Sequence, residues 1–495
     1  MEEGSKRTLL AVTAGYFIVM FAVSPVAVIL PSLAASLQVN VDAAGWVMTA
    51  FLLPLTAFLL PAGRLGDIFG HRRLFVAGLG LTVAGAVGAG SAGSLWLLLG
   101  ARALQGLGAA LVSASSLPII TAVVGPERRA RSIGLATMAS SLGAMSGTAL
   151  APLVLQYLNW RWAFFAGALA GLVALSLAWR MGLGPRPVSR VRFDWPGATL
   201  LLLTLGVASL SLSHFHDGPE SFTGGWHWHV PMHLVALVLL AMFVAVESRV
   251  RAPLIRLDQL RNGVFTTAIG ANGVLHMTMM MATFSVPFLI QRGLRLGAME
   301  TGVLLVAMQA CTTAMTLIGG VLYDRTRWAW LCPLSLGMVA SGLTWLGLAA
   351  PGLTYVQAFV AMLWLGLGSG TFMTTNNTRI MGTLAAEYRG FASGMLETTR
   401  QYGHTLGVAV AAVGLVAALG SDSVAGAAMV RAGFGQSALL MGAIAWAGVA
   451  MAAYPMYAAR ARRWLTSSQG ATSPAATREA AATLGVAPAA VASSR

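Results

Sequence analysis

Long apolar segments alternate with short polar connections over most of this chain. A helix needs about 20 mainly apolar residues to cross the ~30 Å hydrocarbon core of a bilayer. Fourteen segments meet that need, at approximately 9–31, 44–62, 74–93, 95–120, 132–155, 161–181, 195–213, 230–247, 263–290, 299–321, 329–349, 355–379, 391–418 and 436–458. The pattern predicts an all-α polytopic membrane protein with fourteen transmembrane helices.

Composition agrees with a membrane protein. Hydrophobic residues make up 57% of the chain and charged residues 9%, against about 25% charged residues in soluble proteins. The net charge of +15 comes from short basic clusters between apolar runs. No basic face with stacking aromatic residues is present, so nucleic acid is not an expected partner. Cys311 and Cys332 lie in apolar segments, and we interpret them as small packing residues.

The basic residues predict the orientation in the membrane, because cytoplasmic loops carry the excess of Lys and Arg. Alternate connections hold most of them, among others Lys6, Arg7, Arg64, Arg72, Arg73, Arg128, Arg129, Arg131, Arg186, Arg190, Arg192, Arg249, Arg251, Arg460, Arg462 and Arg463. The other connections hold little beyond Arg161, Arg292, Arg295 and Arg431. Both termini are therefore expected in the cytoplasm, and the protein in the plasma membrane.

The chain also repeats itself. Residues 126–134, PERRARSIG, correspond to residues 386–394, AEYRGFASG, with Glu387 following Glu127 by 260 positions, and Asp324 follows Asp67 by 257. Similar shifts in loops of the same sidedness indicate a duplicated six-helix unit. The predicted regions are a cytoplasmic N-terminus at 1–8, an N-terminal bundle at 9–181, a linker with two extra helices at 182–262, a C-terminal bundle at 263–459 and a disordered cytoplasmic tail at 460–495.

One polar turn separates the second and third spans, with the sequence GRLGDIFGHRRLF at residues 63–75. Its charges and turn backbone must lie outside the hydrocarbon core. It resembles the G-x-L-x-D-x-x-G-x-[RK]-[RK] loop of major facilitator superfamily transporters, matched at Gly63, Leu65, Asp67, Gly70, Arg72 and Arg73. The resemblance implies two six-helix bundles, and Asp67, with Arg64 beside it, as a cytoplasmic gating contact. Asp324 and Arg325 are the counterparts in the second half.

Arg102 lies within the fourth span, where an unpaired cation costs at least about 2.5 kcal/mol. It must therefore face a cavity or a partner. The segment resembles the R-x-x-Q-G motif of the same superfamily, matched at Arg102, Gln105 and Gly106, and the resemblance implies a role in proton coupling. A purely structural arginine, held by backbone carbonyls, is the alternative.

A subgroup is indicated by NWRWAFF at residues 159–165, which resembles the N-W-R-W-x-F stretch of fourteen-helix drug:proton antiporters. Two departures from that subgroup stand out. Ala22 occupies the position where the family usually carries an aspartate that is thought to bind the proton or a cationic substrate. Thr148 replaces the proline of the fifth-span G-x-x-x-G-P-x-x-G-G pattern. The usual proton site is therefore missing.

Glu397 is the best substitute carboxylate inside a span. Arg400 and His404 follow it at i+3 and i+7, so the three share one helix face. These residues are candidates for proton coupling, and a structural Glu397–Arg400 pair near the cytoplasmic helix end is the alternative.

Polar side chains within other spans are the candidates for a substrate cavity. His276 lies among methionines, which suit a promiscuous apolar pocket. The remaining candidates are Asn272, Gln309, Asn376 and Asn377. Five histidines between spans 7 and 8 either bind a transition metal or form an interfacial loop, and we predict no metal site: His214, His216, His227, His229 and His233.

These features predict a secondary transporter that exports small amphipathic or drug-like molecules by alternating access, coupled to protons, as a functional monomer without a cofactor. An importer or uniporter of a small metabolite is the alternative within this class. A non-transporting sensor or scaffold is a third possibility. The chain has no H-E-x-x-H or G-x-S-x-G motif, so an enzyme is not expected.

Overall fold

The computed structural model describes residues 3–39, 41–182, 194–211, 226–250, 255–326, 328–385, 388–419 and 426–468. The helices of this part of the chain are α1 (Glu3–Leu37), α2 (Val41–Phe69), α3 (His71–Gly90), α4 (Leu95–Val123), α5 (Pro126–Tyr157), α6 (Arg161–Arg180), α7 (Trp195–Ser211), α8 (Trp226–Glu247), α9 (Gly263–Phe288), α10 (Ala298–Thr326), α11 (Leu331–Ala349), α12 (Tyr355–Thr383), α13 (Arg389–Leu419) and α14 (Ala427–Ser468). The predicted number of helices, fourteen, is confirmed.

Twelve of the described helices are long and apolar enough to cross a membrane. The two others are α7, whose apolar part is the shorter segment Trp195–Ala208, and α13. Helix α13 carries Glu397, Arg400 and Gln401 in its first half, and such side chains lower the hydropathy of a span. Both helices nevertheless occupy the places in the fold that the sequence predicts for spans.

Helix packing divides the chain into two bundles. In the first, α1 packs on α5 and α2 on α4; in the second, α9 packs on α13 and α10 on α12. The same pairing therefore recurs eight helices later, as expected for a duplicated six-helix unit. The prediction of two six-helix bundles with an extra helix pair is confirmed.

Close approach of the helices depends on glycine at particular positions. A β-carbon at Gly106 of α4 would collide with the Phe51 carbonyl of α2, and one at Gly108 would meet the backbone of α3 at Gly78. Small residues of this kind let membrane helices approach closely. Helix α4 is thereby held against both of its neighbours.

The extra pair α7 and α8 packs beside the N-terminal bundle. Leu201, Leu205 and Phe243 of the pair form a small apolar cluster with Ala57 of α2. The Asp194 carboxylate caps the N-terminus of α7, where it accepts a hydrogen bond from the Gly197 amide at 2.9 Å. Most of α8 is exposed, and since its exposed residues from Leu234 to Ala245 are apolar, this surface is suited to face lipid.

Two predicted boundaries need correction. The polar stretch from Gly63 to Phe75 is mostly helical, because α2 continues to Phe69 and α3 starts at His71. The disordered tail was predicted from 460, but α14 continues to Ser468, so that prediction is wrong for 460–468. Residues 469–495, and the predicted loop residues Arg186, Arg190 and Arg192, lie outside the described part of the chain.

Candidate functional site

A cavity of about 240 Å³ lies between the two bundles. Helices α1, α2 and α5 of the first bundle and α9, α10, α12 and α13 of the second line it. The lining residues are Val23, Ser24, Ala27, Met48, Ser141, Ala144, Leu275, His276, Met279, Met280, Thr283, Met308, Gln309, Thr312, Thr313, Ser369, Met373 and His404. This lining combines thioethers and hydroxyls and contains no carboxylate, lysine or arginine.

Two histidines meet at the cavity wall. His276 of α9 and His404 of α13 lie with Nδ1 of the first 3.1 Å from Nε2 of the second. Their ring centroids are 5.0 Å apart and the ring planes are nearly perpendicular. Gly403 makes this contact possible, because a β-carbon there would crowd the backbone of α9 at Gly273 and Met277.

Gln309, another predicted cavity residue, joins the two bundles. Its Nε2 atom donates a hydrogen bond to the Thr148 hydroxyl at 3.1 Å. Thr148 stands where the antiporter pattern has proline, so the departure from the pattern supplies an acceptor that proline lacks. The bond connects α10 directly with α5 beside the cavity.

Thr148→Val is expected to loosen this connection while the bundles stay folded. Loss of one neutral hydrogen bond is worth about 1 kcal/mol, which changes the ratio of the joined and separated arrangements of α5 and α10 by about fivefold. Spin-label distances between α5 and α10 would report that ratio. Thr137→Val, on the exposed part of the same helix, is the matched control, and an equal effect of both variants would contradict the expectation.

The three predicted asparagines do not line the cavity. Asn272 donates hydrogen bonds to the Leu396 carbonyl at 3.1 Å and the Thr399 hydroxyl at 2.9 Å, which joins α9 to α13. Asn376 is fully buried and donates to the Ala268 carbonyl at 2.9 Å. Asn377 lies beside it on α12. The first two therefore hold helices together inside the C-terminal bundle.

Most of the lining residues were not predicted from the sequence, and two pairs of them show a recognisable spacing. Met308 and Thr312 lie one turn apart on α10, and Ser369 and Met373 lie one turn apart on α12. The Thr312 and Ser369 hydroxyls are 3.0 Å apart. Their i, i+4 spacing on two helices is the signal that identifies such a face.

The predicted coupling group on α13 forms a compact cluster. Arg400 Nη2 lies 2.6 Å from Glu397 Oε1, and the Gln401 amide donates to the same oxygen at 2.9 Å. The side chains of Glu397 and Arg400 are 27% and 28% exposed. Tyr16 of α1 lies near enough for both charges to act on its phenol. The pair therefore faces the first bundle, nearer than the histidines to the start of α13.

Arg102 is buried inside the N-terminal bundle and does not line the cavity. Its guanidinium donates to the Val47 carbonyl at 3.0 Å, the Ala22 carbonyl at 3.1 Å and the Gln105 side chain at 2.5 Å. The Phe51 ring lies 4.4 Å from its Cζ. This geometry matches the structural alternative, in which backbone carbonyls satisfy the arginine. Ala22 takes part through its carbonyl alone.

The predicted gating motif forms the junction of α2 and α3. Gly70 alone separates these helices, and its φ of 95° is the reason for a glycine there, since a β-carbon is strained at that angle. Asp67 is 48% exposed and contacts His71 across the turn at 3.2 Å. Arg72 donates to the Met181 carbonyl at 3.2 Å, which connects α3 to the end of α6.

The remaining motif residues surround this junction. Gly63 and Arg64 lie in the last turns of α2, and Arg73 lies in the first turn of α3. Asp324 and Arg325 are exposed near the end of α10. Since α2 and α10 both end on the same side of the bundles, we call this side the Asp67 face and the other the opposite face.

The bundles are joined on the opposite face. The Gln291 amide, at the end of α9, donates to the Val28 carbonyl of α1 at 3.0 Å. Gly302, early in α10, packs against the Pro152 ring of α5. At mid-depth the Thr56 and Thr405 hydroxyls are 3.0 Å apart. These contacts join the two bundles on the opposite face and at mid-depth.

Three of the five histidines predicted between spans 7 and 8 lie instead in the first turns of α8, namely His227, His229 and His233. His229 Nδ1 lies 2.6 Å from the Ser211 carbonyl, and His233 Nδ1 lies 2.6 Å from the His229 carbonyl. His214 and His216 lie outside the described residues. Within the described part of the chain, no group of three or more His, Cys, Asp or Glu side chains could hold a metal ion.

Comparison with known proteins agrees with this architecture. The chain is 32% identical over 419 residues to the cephamycin export protein CmcT of Amycolatopsis lactamdurans, covering 81% of this chain and 83% of that protein. It is 28% identical over 422 residues to the multidrug resistance protein Stp of Mycobacterium tuberculosis, covering 83% and 76%. Both relatives span most of the two bundles.

The fold also matches a solved transporter structure, that of a bacterial homolog of the human lysosomal transporter Spinster, inward-facing and unoccupied. The TM-score is 0.64 at 15% identity, over 91% of this chain and 97% of that one. The sequence model of the Major Facilitator Superfamily matches residues 12–408. This chain is therefore a multi-pass membrane transporter of the major facilitator superfamily.

Proposed function

We propose that the protein exports small amphipathic or drug-like molecules across the plasma membrane by proton-coupled alternating access. The observation that carries this proposal is the uncharged, methionine-rich cavity between the bundles. Thioethers adapt to ligands of different shape. The hydroxyls of the lining offer hydrogen bonds to a substrate that carries no charge. Such a lining suits neutral or weakly charged amphiphiles better than small ionic metabolites.

Two further observations support export. One relative is named for cephamycin export and another for multidrug resistance. The excess of basic residues assigns the Asp67 face to the cytoplasm, with both termini on that side. The contacts of Gln291 and Gly302 then join the bundles on the outer side, which supports loading of the substrate from the cytoplasm.

An importer or uniporter is the second candidate, and one observation favours it. Ala22 replaces the carboxylate that the family usually supplies for a proton or a cation, and no lining residue among those described is acidic. Without a coupling ion, a carrier moves its substrate only down the concentration gradient.

A substrate screen in inside-out membrane vesicles tests the proposal. The panel contains a cephamycin, a neutral lipophilic dye and a lipophilic cation, each offered with proton gradients of both signs. Accumulation of a panel compound that requires an acidic lumen supports proton-coupled export. Equilibration of a compound without accumulation, at the same rate under either gradient, favours the uniporter. No transport of any compound favours a sensor or scaffold.

Ala144→Phe is the variant that ties transport to the cavity. Ala144 lines the cavity, and a phenyl ring there would fill much of it, so we expect at least about tenfold slower transport. Leu142→Phe is the matched control, because Leu142 lies two residues away on α5 and is 50% exposed on the outer surface. Equal transport by both variants would place the substrate path elsewhere.

Glu397→Gln in the same screen tests whether the predicted carboxylate contributes to coupling.

A further inference from the structure

The cavity wall contains one kind of group that changes charge near neutral pH. Among the described lining residues, His276 and His404 are the only titratable side chains, and the rest are apolar, hydroxyl or amide side chains. Histidine is the side chain whose ordinary charge change falls between about pH 5 and 8. A proton that enters this cavity therefore has these two rings as its acceptor.

The contact between the rings limits how many protons they hold. At a distance of 3.1 Å between Nδ1 of His276 and Nε2 of His404, one nitrogen must carry a hydrogen and the other a lone pair. A first added proton occupies an outer nitrogen and leaves this N–H···N bond intact. A second would place two N–H groups against each other and break the contact. The pair as built therefore takes up one proton.

Resting on the proposed function of proton-coupled export, we propose that the His276–His404 pair is the proton-binding site of this transporter. The pair lies in the C-terminal bundle and takes the role of the carboxylate that is missing from the first span of the N-terminal bundle. The added proton occupies an outer nitrogen and gives the pair one positive charge. Its release to water returns the pair to neutrality with the N–H···N bond still in place.

The charges nearest to the pair lie on α13, the helix that carries His404. Arg400 lies one turn before His404 and acts on both rings, and Glu397 partly neutralises it. Tyr16 faces this cluster from α1. Tyr402 points from α13 towards the cluster formed by α2 and α7, and the Tyr454 phenol of α14 lies at the far end of α9, beside Gly263.

The remaining surroundings are neutral. The lining residues that α2, α5, α10 and α12 present to the cavity are uncharged. Arg379 of α12 donates to the Ala452 carbonyl at 2.7 Å, which engages it with α14. The pair therefore lies deeper in the protein than Glu397 and Arg400, which are partly exposed and precede His404 on α13.

This position explains how proton and substrate exclude each other. An imidazolium facing the cavity needs water or another polar partner. An apolar substrate that fills the same 240 Å³ space displaces that water. Substrate binding therefore favours proton release, and proton binding favours substrate release, which is the linkage that antiport requires.

Nuclear magnetic resonance of histidine rings in the purified full-length protein tests this inference without any substrate. The protein is labelled with ¹³C at histidine Cε1 and titrated across about pH 5 to 8. His276→Gln and His404→Gln identify the two signals, and His233→Gln on α8 is the control. We expect the two signals to move together through one midpoint that the control leaves in place, and each single variant to shift the remaining ring's midpoint by about one pH unit or more.

Two independent titrations, or no titration of either ring, would overturn the assignment even if transport is found. A transport arm separates this outcome from failure of the proposed function. With a panel compound that the wild type accumulates, each histidine variant should lose gradient-driven accumulation and retain substrate exchange without a gradient. Loss of both activities alike would also contradict a coupling role. If the wild type transports no panel compound, the proposed function is wrong. The ring titrations would still show whether His276 and His404 share one added proton.

Discussion

Arg102→Met is expected to prevent accumulation of folded protein. The side chain is 1% exposed and holds three acceptors on α1, α2 and α4. Methionine fills a similar volume but leaves those acceptors without a donor, and each unsatisfied buried group costs about 1 to 3 kcal/mol. A total loss on the order of 3 kcal/mol or more is a large fraction of the stability of one bundle.

Size-exclusion profiles and thermal unfolding in detergent would measure this effect. Arg180→Met is the matched control, because Arg180 is exposed at the end of α6 and its replacement should change the melting temperature little. Arg102→Lys should rescue only part of the stability, since one ammonium cannot reproduce the forked guanidinium geometry. A well-folded Arg102→Met protein that has lost only proton coupling would show instead that the motif acts in coupling.

Asp67→Asn is expected to slow transport about tenfold or more while the amount of folded protein stays unchanged. In this structure the carboxylate is about half exposed and, among the described residues, contacts the His71 ring at 3.2 Å. Little folding stability therefore depends on it. We propose that it meets an arginine or a helix N-terminus once the Asp67 face closes, and a charge-assisted bond of about 1.5 to 3 kcal/mol would be lost there.

Initial rates in vesicles, divided by the amount of protein in the membrane, provide the measurement. Asp258→Asn is the matched control on the same face. A hydrogen bond from the Gln259 amide at 2.8 Å lowers the pKa of Asp258, so the control also removes a charged, exposed carboxylate. Normal transport by Asp67→Asn, or equal loss in both variants, would remove the gating role.

The length of the apolar segments was sufficient to predict the helices, because a membrane leaves few backbone conformations available. Helix ends were harder to predict. Helix α2 continues to Phe69 through Arg64 and Asp67, since a helix projecting beyond the hydrocarbon can carry charge. The same reasoning applies to α14, which continues through the basic residues after position 459. Loss of hydrophobicity marks the edge of the membrane and need not mark the end of the helix.

The site was predicted only in part, because its contacts join distant segments. His276 and His404 lie 128 positions apart, and no local pattern shows that their rings meet. Asn376 looked like a cavity residue in isolation, yet the packing of α12 against α9 directs it to the Ala268 carbonyl. Polar residues within a span are readily identified, but only helix packing decides which of them face the cavity.

Alternating access about the central cavity is tested most directly by distances measured on both faces of the same two helices. After replacing Cys311 and Cys332 with serine, spin labels are placed at Arg128 and Thr326 on the Asp67 face and at Tyr157 and Met299 on the opposite face, which are exposed ends of α5 and α10. Double electron–electron resonance at acidic and neutral pH, with and without a transported compound, gives both distances. We expect one distance to shorten as the other lengthens. Distances that stay fixed, or that change together in the same direction, would contradict a carrier whose bundles rock about this cavity.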